Sequence, residues 1–283
     1  MDPRVRGDDN AGCVTEEYMN TIRRLVVLLL VALLTACAGA PVADPHIARA
    51  LAPSGKLRVG VYPGSPTSMI RHAASGETRG VTYELGAELA RRLGVPVEYV
   101  EFPRVAEVVV ALKDGKVDFT VTNASPARAL EVDFTQPVLD VELGYLVPGA
   151  SAIKAIADVD KPGVRVGVTQ GSTTRGVLSK VFRNATITEA PNVKAAIDML
   201  SQQKLDAFAT NKAILFAMSD EFSGSRVLAG RWGVEHFAIG IPKGRGEGMA
   251  FMRRFAEELN AAGAVQRAAE RAGLRGSVAP GTQ

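Results

Sequence analysis

KVDFTVTN, Lys116 to Asn123, has a counterpart in KLDAFATN, Lys204 to Asn211: in each, aspartate stands two residues after lysine and Thr-Asn closes the segment. Both read as short buried strands, and each follows a helical pattern. VAEVVVALKDG (105–115) precedes the first, and VKAAIDMLSQQ (193–203) precedes the second, with Val193, Ala196, Ile197 and Leu200 at i, i+3, i+4 and i+7. Further outward the likeness continues. LRVGV (57–61) is matched by VRVGVTQG (164–171), and VPVEYVEF (95–102) stands where ATITEA (185–190) stands in the second half. YELGAELARRLG (83–94) adds a helix with Leu85, Leu89 and Leu93 on one face and a glycine cap.

Strands alternating with helices predict βαβ units and a mostly parallel sheet. The duplicated order predicts an α/β chain of two related lobes, each a sheet flanked by helices. VELGYLVPGAS (141–151) and HFAIGIPKG (236–244) are apolar strands that cross between them as a two-strand hinge, and helices over 249–263 and 264–273 close the first lobe. The boundaries on this reading are 55–146 with 239–283 for lobe 1 and 147–238 for lobe 2.

The 283 residues are 47% hydrophobic and 22% charged, a folded globular composition, and a net charge of +3 is mild. Basic and acidic residues are interspersed, so no nucleic-acid partner is indicated. At the N-terminus, Arg23-Arg24 precede the apolar run Leu25–Leu34, which leads into Thr35-Ala36-Cys37-Ala38-Gly39. A run this short does not span a bilayer, which takes about 20 residues, whereas it fits an export signal over residues 1–36. Leu34-Thr35-Ala36-Cys37 resembles the lipobox of bacterial lipoproteins, which makes Cys37 the lipid-modified first residue of the mature chain. Cleavage at Ala38-Gly39-Ala40 would instead leave Pro41 just beyond the cut, where proline is poorly accepted. Residues 1–18 fit no signal layout, so Met19 is the expected start, and Cys13 then drops out of the protein. Ala40–Ser54 is small, proline-containing and aperiodic, the character of a tether (37–54) between anchor and body.

Ligands of open parallel sheets bind beyond the carboxyl ends of the strands. Those ends are Tyr62–Ser68, Asn123–Arg128, Thr169–Thr174 and Thr210–Lys212. Arg128 sits in the first turn of a short helix after Ser125-Pro126, where a cation opposes the helix dipole by about 0.3–1 kcal/mol unless an anion faces it. A surface pair with Glu131 or Asp133 would account for it without any ligand. In QGSTTRG (170–176), the backbone N–H groups of Ser172 and Thr173 are placed to cradle a carboxylate or phosphate, or simply to start a helix. No Gly-Lys-Ser/Thr follows, which excludes a nucleotide P-loop.

GKLRVGV, GVTYELGAELARRLGVPVEYVEF, LKDGKVDFTVTN, SPAR and VDFTQP, followed by GVRVGVTQGSTT, KLDAFATN and HFAIGIPKG, come in an order that resembles the type II periplasmic solute-binding proteins of ABC importers, in the polar amino acid branch known as extracellular solute-binding protein family 3. The likeness spans about residues 55–273. It implies the two-lobed type II periplasmic-binding-protein fold, a monomer without cofactor or metal, a periplasmic location and delivery of a small carboxylate-bearing ligand to an ABC transporter permease. It also implies that Arg128 forks onto the ligand carboxylate, with Ser172 and Thr173 beside it and Asn123 where the family has serine or threonine. Two positions depart from the pattern. Asn211 stands where the family places an aspartate for the ligand's ammonium, and Ser65 stands where it stacks an aromatic ring, with Tyr62 the nearest substitute. Whether the ligand carries an α-amino group is left open by these residues.

The resemblance extends to periplasmic dehydratases of the cyclohexadienyl type, an enzyme reading that requires a general acid or base in the cleft. Glu189, at the end of TITEA, is the carboxylate the strand ends offer, with a solvated strand end as its plain reading. A ligand-sensing module of a membrane receptor would use the same cleft. His46, His72 and His236 are too scattered for a metal site, and Trp232 reads as packing near the hinge.

Overall fold

The computed structural model describes residues 43–71 and 75–278. The signal segment, Cys13, Met19, Cys37 and His72 lie outside the described residues. Among the described residues no helix is long and apolar enough to cross a membrane.

Asp44, Pro45 and the apolar pair Ile47 and Leu51 produce the first departure from the sequence reading. Where an aperiodic tether is expected, Pro45–Leu51 forms helix α1, capped by Asp44, whose Oδ1 accepts the His46 N–H at 2.7 Å. Proline at the first helical position after an acidic N-cap is a start signal, and Ile47 and Leu51 share a face at i, i+4. That face packs on the first core, with Leu51 buried.

Leu57–Val61 (β1) follows, then a short hairpin of Ile70–Arg71 (β2) and Thr78–Arg79 (β3). Val81–Leu93 (α2) ends on Gly94 at φ 69°, the left-handed cap its glycine predicts. Val97–Glu101 (β4) pairs in parallel with β1, Val105–Lys113 (α3) crosses back, and Thr120–Asn123 (β5) lies beside β1 through the parallel bridge of Val59 to Phe119. After one turn of helix, Pro126–Ala129 (α4), the chain enters the long strand Val132–Pro148 (β6).

The second half repeats the scheme. Arg165–Thr169 (β7), Thr173–Val181 (α5), Thr186–Ala190 (β8), Val193–Ser201 (α6) and Ala207–Asn211 (β9) give a parallel set ordered β9-β7-β8. Lys212–Glu221 (α7) and Ser225–Val227 (β10) lead to Gly233–Pro242 (β11), then Gly246–Ala261 (α8), Ala264–Arg271 (α9) and Ser277–Val278 (β12). β11 pairs antiparallel with both β5 and β6, and β6 pairs with β9. These two strands therefore join the halves as the predicted hinge, but β6 begins nine residues before the 141 expected for it. Pro137, which has no N–H to give the ladder, sits opposite Ala238 where the register shifts, and it disguises one continuous strand as two segments.

The duplicated motif has a physical meaning. Asp118 and Asp206 each take a fork from the arginine of the preceding RVGV: Arg58 Nε and Nη2 donate at 2.9 and 2.7 Å, Arg165 Nε and Nη2 at 2.9 and 2.8 Å. The same arginines donate their backbone N–H to the carboxylate at 2.9 and 2.8 Å, which fixes each strand's register against its neighbour. The glycine of each RVGV is a point of close approach, since a Cβ at Gly167 would lie 2.4 Å from Leu205 and one at Gly60 2.8 Å from Val108. Separate cores fill the halves. Leu57, Val59, Leu85, Leu89, Phe119, Ile239 and Phe255 pack in the first, while Val166, Val168 and Leu178 pack on one face of the second sheet and Leu200, Phe208, Leu215 and Met218 on the other. Strands covered on both faces read as continuous apolar runs, as these do.

Candidate functional site

Strand order arranges the site. In the first half β5 lies next to the hinge, β1 beyond it and β4 outermost; in the second half β9, β7 and β8 take those places. The carboxyl ends of all six strands face a cleft of about 490 Å³, its open mouth included, floored by Glu235 and Phe237 of β11.

At the hinge end, Arg128 is buried after the Ser125 N-cap. Its Nη1 donates to Thr122 Oγ1 at 2.7 Å and to the Asn123 carbonyl at 3.3 Å, while Nε and Nη2 have no partner among the described residues. The surface-pair reading does not hold, because Glu131 pairs with Lys113 instead. Burial pulls the Arg128 pKa below the usual guanidinium value, and the Glu235 carboxylate and Tyr62 oppose that shift. A cation held this way is ready for a bidentate carboxylate.

Glu235 is a cleft carboxylate that the sequence reading did not name. It is 7% exposed, and both carboxylate oxygens are engaged from both halves of the chain. Oε1 accepts from Thr173 Oγ1 at 2.6 Å and Asn123 Nδ2 at 3.1 Å, and Oε2 accepts from Asn211 Nδ2 at 3.1 Å. Asn123 Nδ2 also donates to Thr173 Oγ1 at 3.2 Å. This accounts for the amide at 211. A carboxylate there would stand within hydrogen-bond distance of Glu235, and two like charges that close disfavour one another. Asn211 Oδ1 meanwhile caps α7, accepting the Ile214 N–H at 3.2 Å. The signal for Glu235 lay in the two-residue period of β11: Phe237 points into the core, so Glu235 shares its side while His236 faces outward, its side chain 52% exposed.

The other expected residues divide. Ser172 and Thr173 line the cleft at the start of α5, but the Ser172 N–H is taken by the Thr169 carbonyl at 3.0 Å and its Oγ caps the helix by accepting the Arg175 N–H at 3.2 Å. The Thr173 hydroxyl, committed to Glu235, ties the α5 terminus to the hinge. Tyr62 lines the cleft as an apolar wall, its hydroxyl donating to Ser65 Oγ at 3.4 Å, and burial raises its pKa. Ser65 does not reach the cleft; it is fully buried between Tyr62 and Thr67, bonded to Thr67 Oγ1 at 2.8 Å. Glu189 lies outside the cleft, paired with Arg175 Nε at 2.8 Å, so the carboxylate offered for an enzyme is not in position to act. Trp232 packs by Tyr145 in the second core and donates Nε1–H to the Gly144 carbonyl. His46 stands by Glu247 and His236 by Asp140, and no group of three His, Cys, Asp or Glu that could hold a metal occurs among the described residues.

The outer end of the cleft adds Pro103, Arg104 and Val105 after β4, facing Val193 after β8. Arg104 Nη1 reaches the Pro191 carbonyl across the cleft at 3.5 Å.

Comparison with known proteins bears on the family and the fold. The family profile described as bacterial extracellular solute-binding proteins, family 3, matches residues 57–273. The ABC transporter glutamine-binding protein GlnH of Bacillus subtilis (strain 168) is 24% identical over 216 residues, covering 75% of this chain and 76% of that protein. A glutamine-binding protein of Geobacillus stearothermophilus is 26% identical over 193 residues, 67% and 73% of the two chains. Among solved structures, the solute receptor for L-cysteine of Neisseria gonorrhoeae superposes with a TM-score of 0.70 at 26% identity, covering 80% of this chain and 92% of that one. An ancestral arginine-binding protein bound to glutamine superposes at 0.68 with 25% identity, covering 77% and 97%. The chain therefore belongs to family 3 of the bacterial extracellular solute-binding proteins, whose two-lobed α/β fold it shares.

Proposed function

We propose that the protein captures an α-amino acid between its lobes, with the carboxylate on Arg128 and the ammonium on Glu235, and delivers it to an ABC importer from the extracytoplasmic side of the membrane. The observation that carries this reading is the Glu235 carboxylate at the cleft floor, oriented by Asn123, Thr173 and Asn211. It supplies the negative charge that the amide at 211 lacks, and a desolvated ammonium needs that charge. The relatives that bind glutamine, glutamate, arginine or cysteine support the same class of ligand. The carboxylate that a dehydratase reading would use, Glu189, lies outside the cleft and pairs with Arg175.

Calorimetric titration with glutamine and with its des-amino analogue tests the assignment. The wild type is expected to bind the amino acid about 10–100-fold more tightly, the value of a charge-assisted hydrogen bond, and Glu235→Gln is expected to erase most of that preference. Equal binding of the two ligands by the wild type would refute the ammonium site.

Cys37 is proposed as the lipidated residue following the signal segment 1–36, with permanent membrane attachment as its consequence. Cys37→Ser is then expected to move the exported protein from the membrane fraction to the soluble periplasm. Unchanged membrane retention of that variant would argue against lipid at this site.

A further inference from the structure

We infer that residues 274–278 form a latch across the hinge, which favours the closed arrangement of the lobes and so sets ligand affinity from outside the cleft. The inference goes beyond the amino-acid reading and requires only that a ligand is held between the two lobes. The segment leaves the end of α9, where the Leu274 N–H bonds to the Ala269 carbonyl at 2.9 Å and the Leu274 side chain packs on the first core. One residue on, the Arg275 guanidinium lies 4.7 Å from the centre of the Phe216 ring and pairs with Asp220, both on α7 of the second half. Gly276 runs against the first turn of the same helix. It stands at φ 80°, a Cβ there would lie 2.4 Å from Lys212 Cβ, and its carbonyl accepts the Glu142 N–H of β6 at 2.9 Å. Ser277 and Val278 add a third strand at the hinge by pairing with Val141 and Asp140. Because β11 occupies the opposite edge of β6, β12 and β9 share one edge end to end.

Neighbouring Cα atoms are only about 3.8 Å apart, so residues 274 and 275 cannot follow two bodies that turn away from one another. Leu274 is held by apolar packing within the first half. Arg275 is held by an ion pair whose side chains are 46% and 64% exposed and by the face of one ring, contacts that are weak enough to break and reform. Opening of the lobes therefore releases Arg275 from α7, and closing restores it. In the arrangement that makes these contacts the cleft walls also meet, through Asn123 Nδ2 and Thr173 Oγ1 at 3.2 Å. Phe216, Asp220 and Arg275 are not among the residues that line the cleft, so they act on a ligand only through the lobe equilibrium. Apparent affinity scales with the fraction of the protein in the binding-competent arrangement, and a latch that raises this fraction raises affinity for every ligand alike.

The test is a double-mutant cycle on the full chain, with Arg275→Ala, Asp220→Ala and the pair titrated calorimetrically against glutamine and against arginine. Arg275→Ala removes both contacts to α7 and is expected to weaken each ligand that the wild type binds by the same factor, about 3–10-fold. Asp220→Ala is expected to weaken them about 2–3-fold, since the ring contact remains. The double variant is expected to bind no more weakly than Arg275→Ala, because Asp220 acts through Arg275. Unchanged affinity in Arg275→Ala, with or without a lower melting temperature, would reduce the segment to a brace and overturn the latch. Factors that differ between ligands, or losses that add in the double variant, would overturn it as well. If the wild type binds neither amino acid, the earlier reading fails, and the latch is read from small-angle X-ray scattering instead: a larger radius of gyration for Arg275→Ala supports it, and an identical one refutes it.

Discussion

Replacing Arg128 with alanine is expected to weaken ligand binding by 100-fold or more while leaving the fold nearly as stable as before. The guanidinium is buried, and that burial draws its pKa down while the Glu235 carboxylate opposes the shift. Its protein bonds among the described residues are few, from Nη1 to Thr122 and to the Asn123 carbonyl, and the residue lines the cleft. Truncating one member of a buried, charge-assisted pair costs about 2–5 kcal/mol of binding, largely because the other charge is left desolvated and alone. Two lost hydrogen bonds, offset by relief of a buried cation, amount to about 1 kcal/mol of stability or less. Calorimetry and urea unfolding read the two quantities separately. Normal affinity in Arg128→Ala would remove the carboxylate from this end of the cleft, and a large loss of stability would make Arg128 a structural residue.

A second large effect separates two aspartates that look alike in sequence. Asp118→Ala is expected to lower the unfolding free energy by about 3–5 kcal/mol, the cost of breaking a buried ion pair from one side. The Asp118 side chain is wholly buried, and besides the Arg58 fork it forms an ion pair with Arg245 Nη2 at 2.7 Å, so its loss leaves two partly buried guanidiniums without their counter-ion. The Arg58 pKa is raised above its usual value chiefly by that hydrogen bond. Arg245 in turn donates to the Leu51 carbonyl at 2.7 Å, so the same change loosens the seat of α1. Asp206 has the same fork from Arg165, but the side chains are 34% and 44% exposed and no second arginine joins them among the described residues. Asp206→Ala is therefore expected to cost only about 1 kcal/mol, as exposed pairs do. Equal destabilisation by the two substitutions in matched urea titrations would show that burial is not what distinguishes them.

Local pattern made much of this molecule legible. The two-residue and 3.6-residue periods, the Gly94 cap and the duplicated order of strands and helices each depend on residues close together in the chain, and they yielded the alternating architecture and both hinge strands. Arg128 stood out too, because a cation in the first turn of a helix is locally unfavourable, and the structure places it buried at the cleft. Short-range signals failed where their meaning depended on a distant partner. Pro137 looked like an interruption until β11 supplied the strand opposite it, and α1 looked like tether because its apolar face has no use until the first core receives it.

What the sequence determined by itself was the class of fold and one end of the proposed site, since periodicity, capping and strand-end chemistry are properties of neighbouring residues. Tertiary structure alone decided the rest. Glu235 became the charge at the cleft floor only when β11 paired with β5 and β6 and brought Asn123, Thr173 and Asn211 to its two oxygens. Asp118 is expected to be the costlier of two equal-looking aspartates to lose because folding brings Arg245 to it as a second partner. Burial and the company of other charges set the strength of a polar group, and both are fixed by residues that the chain brings together only on folding.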